Sequence, residues 1–327
     1  MKLRYMDWIF NLSALAIISL AIGVVVLIVA LVSMLFGASF KIVFLRGLWF
    51  MLFPWLAWIY GTVVERNRFR TEQVEIASES VPSSFDGYRI VHISDMHLMS
   101  FAGREGALQR AVDKINALEP DMIAFTGDLV TMGPEELDGL QDILATLRAK
   151  DGVYSILGNH DYSEYRRHES QQAKREALET LKRREGEMGW RLLINENEAI
   201  VRGEDKLSVI GVENISGNRS FRTYGDLQKA LKGADGEYKI LLSHDPTHWR
   251  AEVVGKSDID LTLSGHTHAM QISLLGWSPA SLMYDEYRGL YSEGNQHLYV
   301  NVGLGQTAVN ARFGAAPEIT LITLKHK

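Results

Sequence analysis

Hydrophobic positions run unbroken at the start of the chain and alternate with polar ones later. From Trp8 to Phe40 no residue is charged. That run exceeds the ~20 apolar residues that a bilayer-spanning helix needs. A second uncharged run covers Gly47 to Val64. It is shorter, carries Trp49, Trp55, Trp58 and Tyr60, and is interrupted by Pro54. Trp and Tyr favour membrane interfaces. The pattern predicts an N-terminal transmembrane helical hairpin, linked around Gly37 to Arg46. A cleaved signal peptide would show an apolar core of only roughly 7–15 residues, so a retained anchor is expected.

After residue 64 the period changes. Short apolar runs predict strands at Gln73–Ala77, Ile90–Ser94, Met122–Thr126, Val153–Leu157, Leu207–Val212, Lys239–Ser243, Ile259–Ser264, Leu298–Val302 and Glu318–Leu324. Helical patterns fill the gaps at Ala107–Leu118, Glu135–Ala149 and Ser163–Glu187, the last charged and rich in i,i+4 pairs. Pro134 stands where a helix tolerates proline, in its first turn. The alternation predicts an α/β fold with at least part of its sheet parallel. The expected organisation is an anchor over 1–64, a linker and first strand over 65–84, and a catalytic domain over 85–327.

Charge and composition then narrow the chemistry. The net charge of −6 argues against a nucleic-acid binder held by phosphate contacts. Cysteine is absent, so no disulfide or thiolate metal site can form. Lys2 and Arg4 before the first apolar run, and Arg66, Arg68 and Arg70 after the second, outnumber Lys41 and Arg46 between them. That bias predicts both ends in the cytoplasm, with the catalytic domain on the cytoplasmic face of a bacterial inner membrane. If the second run lies flat in the interface, the same bias places the domain outside.

Five segments each follow an apolar run with metal-ligand residue types: Asp95-Met96-His97, Gly127-Asp128, Gly158-Asn159-His160-Asp161, His244 and Gly265-His266-Thr267-His268. Loops at the carboxyl ends of strands are where α/β sheets place their sites. Glycines ahead of Asp128, Asn159 and His266 permit tight turns and close backbone approach. Imidazole with carboxylate suits manganese, iron or zinc, and an Asn carbonyl adds a hard donor. In an extended segment Asp-x-His and His-x-His would point two side chains the same way. A carboxylate such as Asp128 can bridge two cations. A pair of cations ~3.5–4 Å apart can hold a hydroxide and clamp the attacking and leaving oxygens. The charge left over is positive and attracts phosphate.

These segments, in this order, resemble the calcineurin-like metallophosphoesterases over roughly residues 90–324. The resemblance implies a four-layer αββα sandwich. It implies one metal on Asp95, His97, Asp128 and His268, and the other on Asp128, Asn159, His244 and His266. His160 would contact phosphate and protonate the leaving oxygen, with Asp161 orienting its ring. Manganese is the favoured ion, with zinc or iron as alternatives. The tail, Asn301-Val302-Gly303-Leu304-Gly305 followed by Arg312 and Pro317-Glu318-Ile319, is similar to a subgroup that contains membrane-associated YkuE-type phosphoesterases and UDP-diacylglucosamine hydrolases. Relatives often carry Gly-Gly after the last histidine motif, where this chain has Ala269-Met270.

Other residues have plainer readings. His92 is expected in the core, His248 in local packing, and His168, His297 and His326 at the surface. Gly303-x-Gly305 is read as a tight loop near the metals, and Arg312 as either a phosphate contact or a structural ion pair. The sequons at Asn214 and Asn218 are read as chance. No G-x-S-x-G elbow and no phosphate-binding G-x-x-x-x-G-K-[ST] loop occurs. The apolar segment 272–290 is expected to lie near the site, as ordinary loop packing or as a wall for an acyl chain or the bilayer. The expected function is hydrolysis of a phosphate ester or pyrophosphate bond, on a lipid phosphate or nucleotide-linked lipid. The expected partners are the bilayer and that substrate, without nucleic acid. The rivals are a membrane-anchored nuclease or nucleotide phosphodiesterase, and a non-catalytic scaffold.

Overall fold

The computed structural model of the chain describes residues 2–217 and 221–327; the sequon at Asn218 lies outside the described residues. The chain opens with α1 (Lys2–Met34), then α2 (Phe40–Gly47), a 3-10 turn at Leu48–Leu52 and α3 (Phe53–Val63). Two helical stretches, Ile9–Met34 and Phe40–Asn67, are long and apolar enough to cross a membrane by length and composition. The link between them is shorter than the sequence predicted. Lys41 and Arg46, expected in the link, sit exposed on a helix. The break is set instead by Gly37 at φ 77° and by the extended backbone of Ser39. The two arms touch: the Trp55 indole donates to Ser19 Oγ at 2.9 Å, and that hydroxyl donates to the Met51 carbonyl.

Twelve strands follow among the described residues. They are β1 (Arg70–Ser78), β2 (Arg89–Ile93), β3 (Met122–Phe125), β4 (Val153–Ser155), β5 (Arg191–Leu192), β6 (Glu196–Arg202), β7 (Asp205–Gly211), β8 (Tyr238–Leu242), β9 (Leu261–Ser264), β10 (Gly289–Glu293), β11 (Gln296–Val300) and β12 (Glu318–His326). Between them lie α4 (Glu105–Asn116), α5 (Gln141–Leu144), α6 (Gln171–Glu187) and α7 (Leu227–Ala230). One six-stranded sheet has the order β1-β12-β2-β3-β4-β5, the other β10-β11-β9-β8-β7-β6. The runs β2 to β5 and β7, β8, β9, β11 are parallel.

Period-two burial explains the layers. In β2, Ile90 faces the second sheet and packs with Tyr238, Ile240 and Leu261. Val91 and Ile93 face the other way, against Leu108 and Val112 of α4 and Leu181 of α6. On the far side Leu241 and Val300 meet Leu227 of α7 and the buried indole of Trp249. Helices therefore cover both outer faces of two stacked sheets, the four-layer αββα sandwich. Each fully buried Leu or Ile contributes ~1.5–3 kcal/mol.

Two helices and three strands differ from the predicted pattern. The helix expected over 135–149 is broken: a 3-10 turn covers Pro134–Leu137, Gly139 sits at φ 76°, and α5 keeps only four residues. The helix expected from Ser163 starts at Gln171, where the Ser170 hydroxyl accepts from the Ala173 N–H. The strands β5, β6 and β10 were missed. They lie at or next to sheet edges, and much of each strand's surface faces solvent.

Candidate metal centre

Each of the five singled-out segments leaves the carboxyl end of a strand: β2, β3, β4, β8 and β9. The backbone then turns sharply. Asp95, His97, Asp128, His266 and His268 all hold positive φ, between 41° and 70°. Left-handed backbone at a non-glycine residue costs ~1–3 kcal/mol, and such strain gathers at functional sites. The side chains of Asp-x-His and His-x-His thus meet through left-handed turns. These residues are not in the extended conformation expected from the sequence. Glycines make room for the turns. A Cβ on Gly265 would lie 1.9 Å from Ser94 Oγ, and one on Gly158 would lie 2.2 Å from Asp128 Oδ1.

The turns bring all seven candidate ligands together. His97 Nε2 lies 3.1 Å from His268 Nε2, and His268 Nε2 lies 3.2 Å from Asp95 Oδ1. On the other side, Asn159 Oδ1 sits 3.1 Å from His244 Nε2 and 2.9 Å from His266 Nδ1. Asp128 Oδ2 stands between the two groups, 3.6 Å from His97 Nε2 and 3.3 Å from His244 Nε2. Its Oδ1 accepts from the His160 backbone N–H. The Asp95 carboxylate accepts from the His266 N–H, which ties the first segment to the last.

The electrostatics call for cations. Asp95 and Asp128 are buried, and among the described residues only imidazoles, no Lys or Arg, form ion pairs with them. Burial alone would raise the Asp95 carboxyl, but the neighbouring His268 and His244 hold it well below its usual value. Burial opposes a charge on His244, yet Asp128 and Asp95 push it up to about 10. Two buried carboxylates thus favour positive charge at this place. Unpaired buried charge is costly unless it is neutralised or metal-bound. Three groups of carboxylate and imidazole atoms lie within 4.8 Å: Asp95–His97–His268, His97–Asp128–His160 and Asp95–Asp128–His244. The donor set of oxygens and imidazole nitrogens fits divalent manganese, iron or zinc.

Supporting contacts fix the rings. His244 Nδ1–H donates to the Thr126 carbonyl at 2.7 Å, which turns Nε2 inward. His266 Nε2 lies 3.1 Å from the Tyr284 hydroxyl and 3.7 Å from Asp245, leaving Nδ1 for the cluster. Such outer partners set which ring nitrogen faces a metal. Thr126, Tyr284 and Asp245 were not singled out from the sequence. Asp245 directly follows His244 and carried a usable signal; Tyr284, in an irregular loop, carried none.

Two expected roles change. The His160 ring is not oriented by Asp161. Its Nδ1–H donates to the Thr131 carbonyl at 2.9 Å, and its face stacks on Tyr165 with centroids 4.1 Å apart. Asp161 is fully buried and instead accepts from the N–H groups of Asp128, Val130 and Gly158. It holds the two ligand turns together. Arg312 is neither a phosphate contact nor half of an ion pair. It is fully buried, donates to the carbonyls of Val302, Gly303, Gly305 and Ala315, and lies 3.3 Å from His268 Nδ1. Gly303 belongs to a tight loop at the site: a Cβ there would lie 2.7 Å from that of Asp95. His92 and His248 are buried and bonded to Thr126 and Ser243.

Known proteins match this architecture. The model of the calcineurin-like phosphoesterase family matches residues 88–270. The metallophosphoesterase YkuE of Bacillus subtilis (strain 168) is 32% identical over 276 residues, 81% of this chain and 89% of that protein. A transmembrane protein with metallophosphoesterase domain from Danio rerio is 33% identical over 275 residues, 82% of this chain and 60% of that one. The UDP-2,3-diacylglucosamine pyrophosphatase LpxG of Chlamydia trachomatis is 27% identical over 321 residues, 82% of this chain and 93% of that one. Membrane association is suggested by the apolar N-terminal helix and by the transmembrane relative. The chain belongs to the calcineurin-like metallophosphoesterases and is a phosphoesterase hydrolase.

Proposed function

We propose that the chain hydrolyses a phosphoester or diphosphate bond in a membrane lipid or lipid-linked substrate, using two divalent cations. The observation that carries this reading is the position of Asp128 Oδ2, between a nitrogen of His97 and a nitrogen of His244. One cation would be held by Asp95, His97, Asp128 and His268, the other by Asp128, Asn159, His244 and His266. Manganese is favoured, with zinc or iron as alternatives. When bound, the pair would ionise a water and neutralise charge on the phosphate. The chain's own groups do the rest. His160 Nε2 points away from the Thr131 anchor, so a protonated ring can supply a proton to the departing oxygen. Tyr165 stacks on that ring and donates no proton to it; its hydroxyl instead accepts from the Asn159 amide.

The lipid part of the reading rests on the surface beside the site. Leu274, Leu275, Trp277, Leu282 and Met283 are exposed on the loop that follows His268. Soluble surfaces rarely expose such a patch without a partner. The loop is continuous with the hairpin. Ile272 bridges to Phe313, whose ring packs edge-on against Phe53 and Tyr60 of α3. LpxG, by its name, acts on a diacylated sugar nucleotide, which agrees with an amphiphilic substrate. We place residues 1–64 in the membrane as an anchor, 65–84 as the link and first strand, and 85–327 as the catalytic unit. That unit would face the cytoplasm at a bacterial inner membrane.

The test is direct. Manganese-loaded full-length protein is incubated with a total lipid extract, and the molecule that disappears is found by mass spectrometry. Metal analysis should give two ions per chain. Wild-type-like hydrolysis of an aryl phosphate by Asp128→Ala would reject the site. Failure on every phosphate ester with manganese, zinc, iron, cobalt or magnesium would favour a scaffold.

A further inference from the structure

A second cavity of about 350 Å³ adjoins the metal centre. His160, Tyr165 and Thr307 line both spaces. The added cavity is walled by Arg66, Arg104 and Gln306, and no acidic residue among the described ones lines it. Its volume falls within the range of small-molecule sites, ~300–1,000 Å³.

Three features make it receptive to an anion. Arg104 donates to the Ser100 carbonyl and to Asn67 Oδ1, both neutral, and no carboxylate pairs with it among the described residues. Burial, then the nearby Arg66 and Arg110, lower its guanidinium only to about 10, so it stays charged at neutral pH. Gln306 is 4% exposed, and among the described residues neither its amide nitrogen nor its amide oxygen has a hydrogen-bond partner. Buried polar groups are nearly always satisfied, so an orphaned amide in a cavity wall implies a missing partner.

The cavity also lies where the hairpin meets the catalytic unit. Its wall residues Ala308 and Asn310 accept, through their carbonyls, from the Asn11 amide and the Thr62 hydroxyl. Arg66 follows α3 directly. A headgroup reaching the metals from the bilayer passes this wall.

We propose that this cavity binds a second phosphate group of the substrate, next to the one held at the metals. The preferred substrate would then be an amphiphile with two neighbouring phosphates. This rests on the phosphoesterase reading and adds a recognition site to it. Arg104 and Arg66 supply charge, and Gln306 donates to a phosphate oxygen.

Two measurements test the proposal and separate it from that reading. The first uses full-length protein in neutral detergent, stripped of metal and titrated calorimetrically with inorganic pyrophosphate. The stripped centre keeps two buried carboxylates, Asp95 and Asp128, which repel an anion, and the loss on Arg104→Ala isolates the contribution of the cationic cavity. Arg104→Ala should weaken binding roughly 10–100-fold, the value of a charge-assisted contact. Arg104→Lys should recover part of it, and Gln306→Leu should cost less. The second measurement compares farnesyl diphosphate with farnesyl phosphate on manganese-loaded protein. Arg104→Ala should lower the preference for the diphosphate by a similar factor, through KM. Equal losses on both substrates, or unchanged pyrophosphate binding in a folded Arg104→Ala protein, would overturn the proposal. So would competition by phosphatidylglycerol micelles as strong as pyrophosphate itself, because the cavity would then serve bulk lipid. The phosphoesterase reading stands or falls separately, on the Asp128→Ala assay.

Discussion

The Asp128 turn and the Arg312 loop border the same cluster of imidazoles, yet they are held by different means. Asp128 lies three residues past the end of β3. Its place is set by a left-handed turn, a glycine on each side of the contact, and one N–H bond to Asp161. Arg312 is far from any strand end. It is held by four carbonyls spread over residues 302–315, and its own N–H reaches the Gly61 carbonyl of α3. The candidate ligands are positioned locally, while their support is assembled from distant parts, the N-terminal helices included.

Removing a ligand should have the largest effect. Asp128→Ala takes away the carboxylate shared between both halves of the centre. Hydrolysis should fall on the order of 10³-fold or more, since several kcal/mol of charge stabilisation is lost. Bound metal should drop below two per chain. A variant that keeps two metals would break the comparison at its stronger end.

Arg312→Met should act more gently on chemistry and more strongly on folding. It leaves the buried carbonyls of Val302, Gly305 and Ala315 without that donor, while Gly303 keeps the Glu318 N–H, at ~1–3 kcal/mol for each unmet group. Relaxation will recover part of this, so a loss of about 3 kcal/mol or more is expected. Metal affinity should fall roughly 10–100-fold, because the neighbour of His268 is gone. Titration of the stripped variant with manganese, alongside its thermal unfolding, checks both. Unchanged affinity in a destabilised protein would confine Arg312 to the fold.

Gly61→Val probes the same support from the side of α3. A Cβ at Gly61 would lie 2.5 Å from the Arg312 carbonyl, so α3 or the loop must shift. Overpacking of this kind costs ~1–3 kcal/mol. Manganese affinity should weaken less than in Arg312→Met. An anchor that merely tethers would leave it unchanged.

This division explains what the sequence disclosed. Asp95, His97, Asp128, Asn159, His160, His244, His266 and His268 were found because each lies a few residues past an apolar run. The four layers came with the family resemblance, since Ile90 and Val91 are both apolar and only the fold shows that they face opposite ways. The Thr131 carbonyl that orients His160 could not be found, since a backbone oxygen has no residue-type signature. Arg312 was seen, but its carbonyl partners come from tertiary folding. Gly139 broke a helix whose periodic pattern outweighed a single glycine, and β6 was hidden by its polar edge face.

The smallest effect lies behind the Asn159 turn, at Glu185 of α6. This carboxyl is fully buried; Oε2 accepts from Ser155, and Oε1 has no partner. Burial first, then the Asp161 charge, push it from the usual 4.5 up to about 8. The folded protein therefore keeps a proton that the unfolded chain loses. Below about pH 4.5 both states hold it and stability carries no penalty. As pH rises from there towards 8, the unfolded state is favoured progressively, and above 8 the penalty is constant. Glu185→Gln removes the titration. Its melting temperature relative to wild type should thus rise between pH 5 and pH 8.5, by a few degrees, with metal occupancy held constant. Parallel pH profiles for the two proteins would mean that Glu185 is already ionised in the fold, and that the back of the turn is wetter than its burial implies.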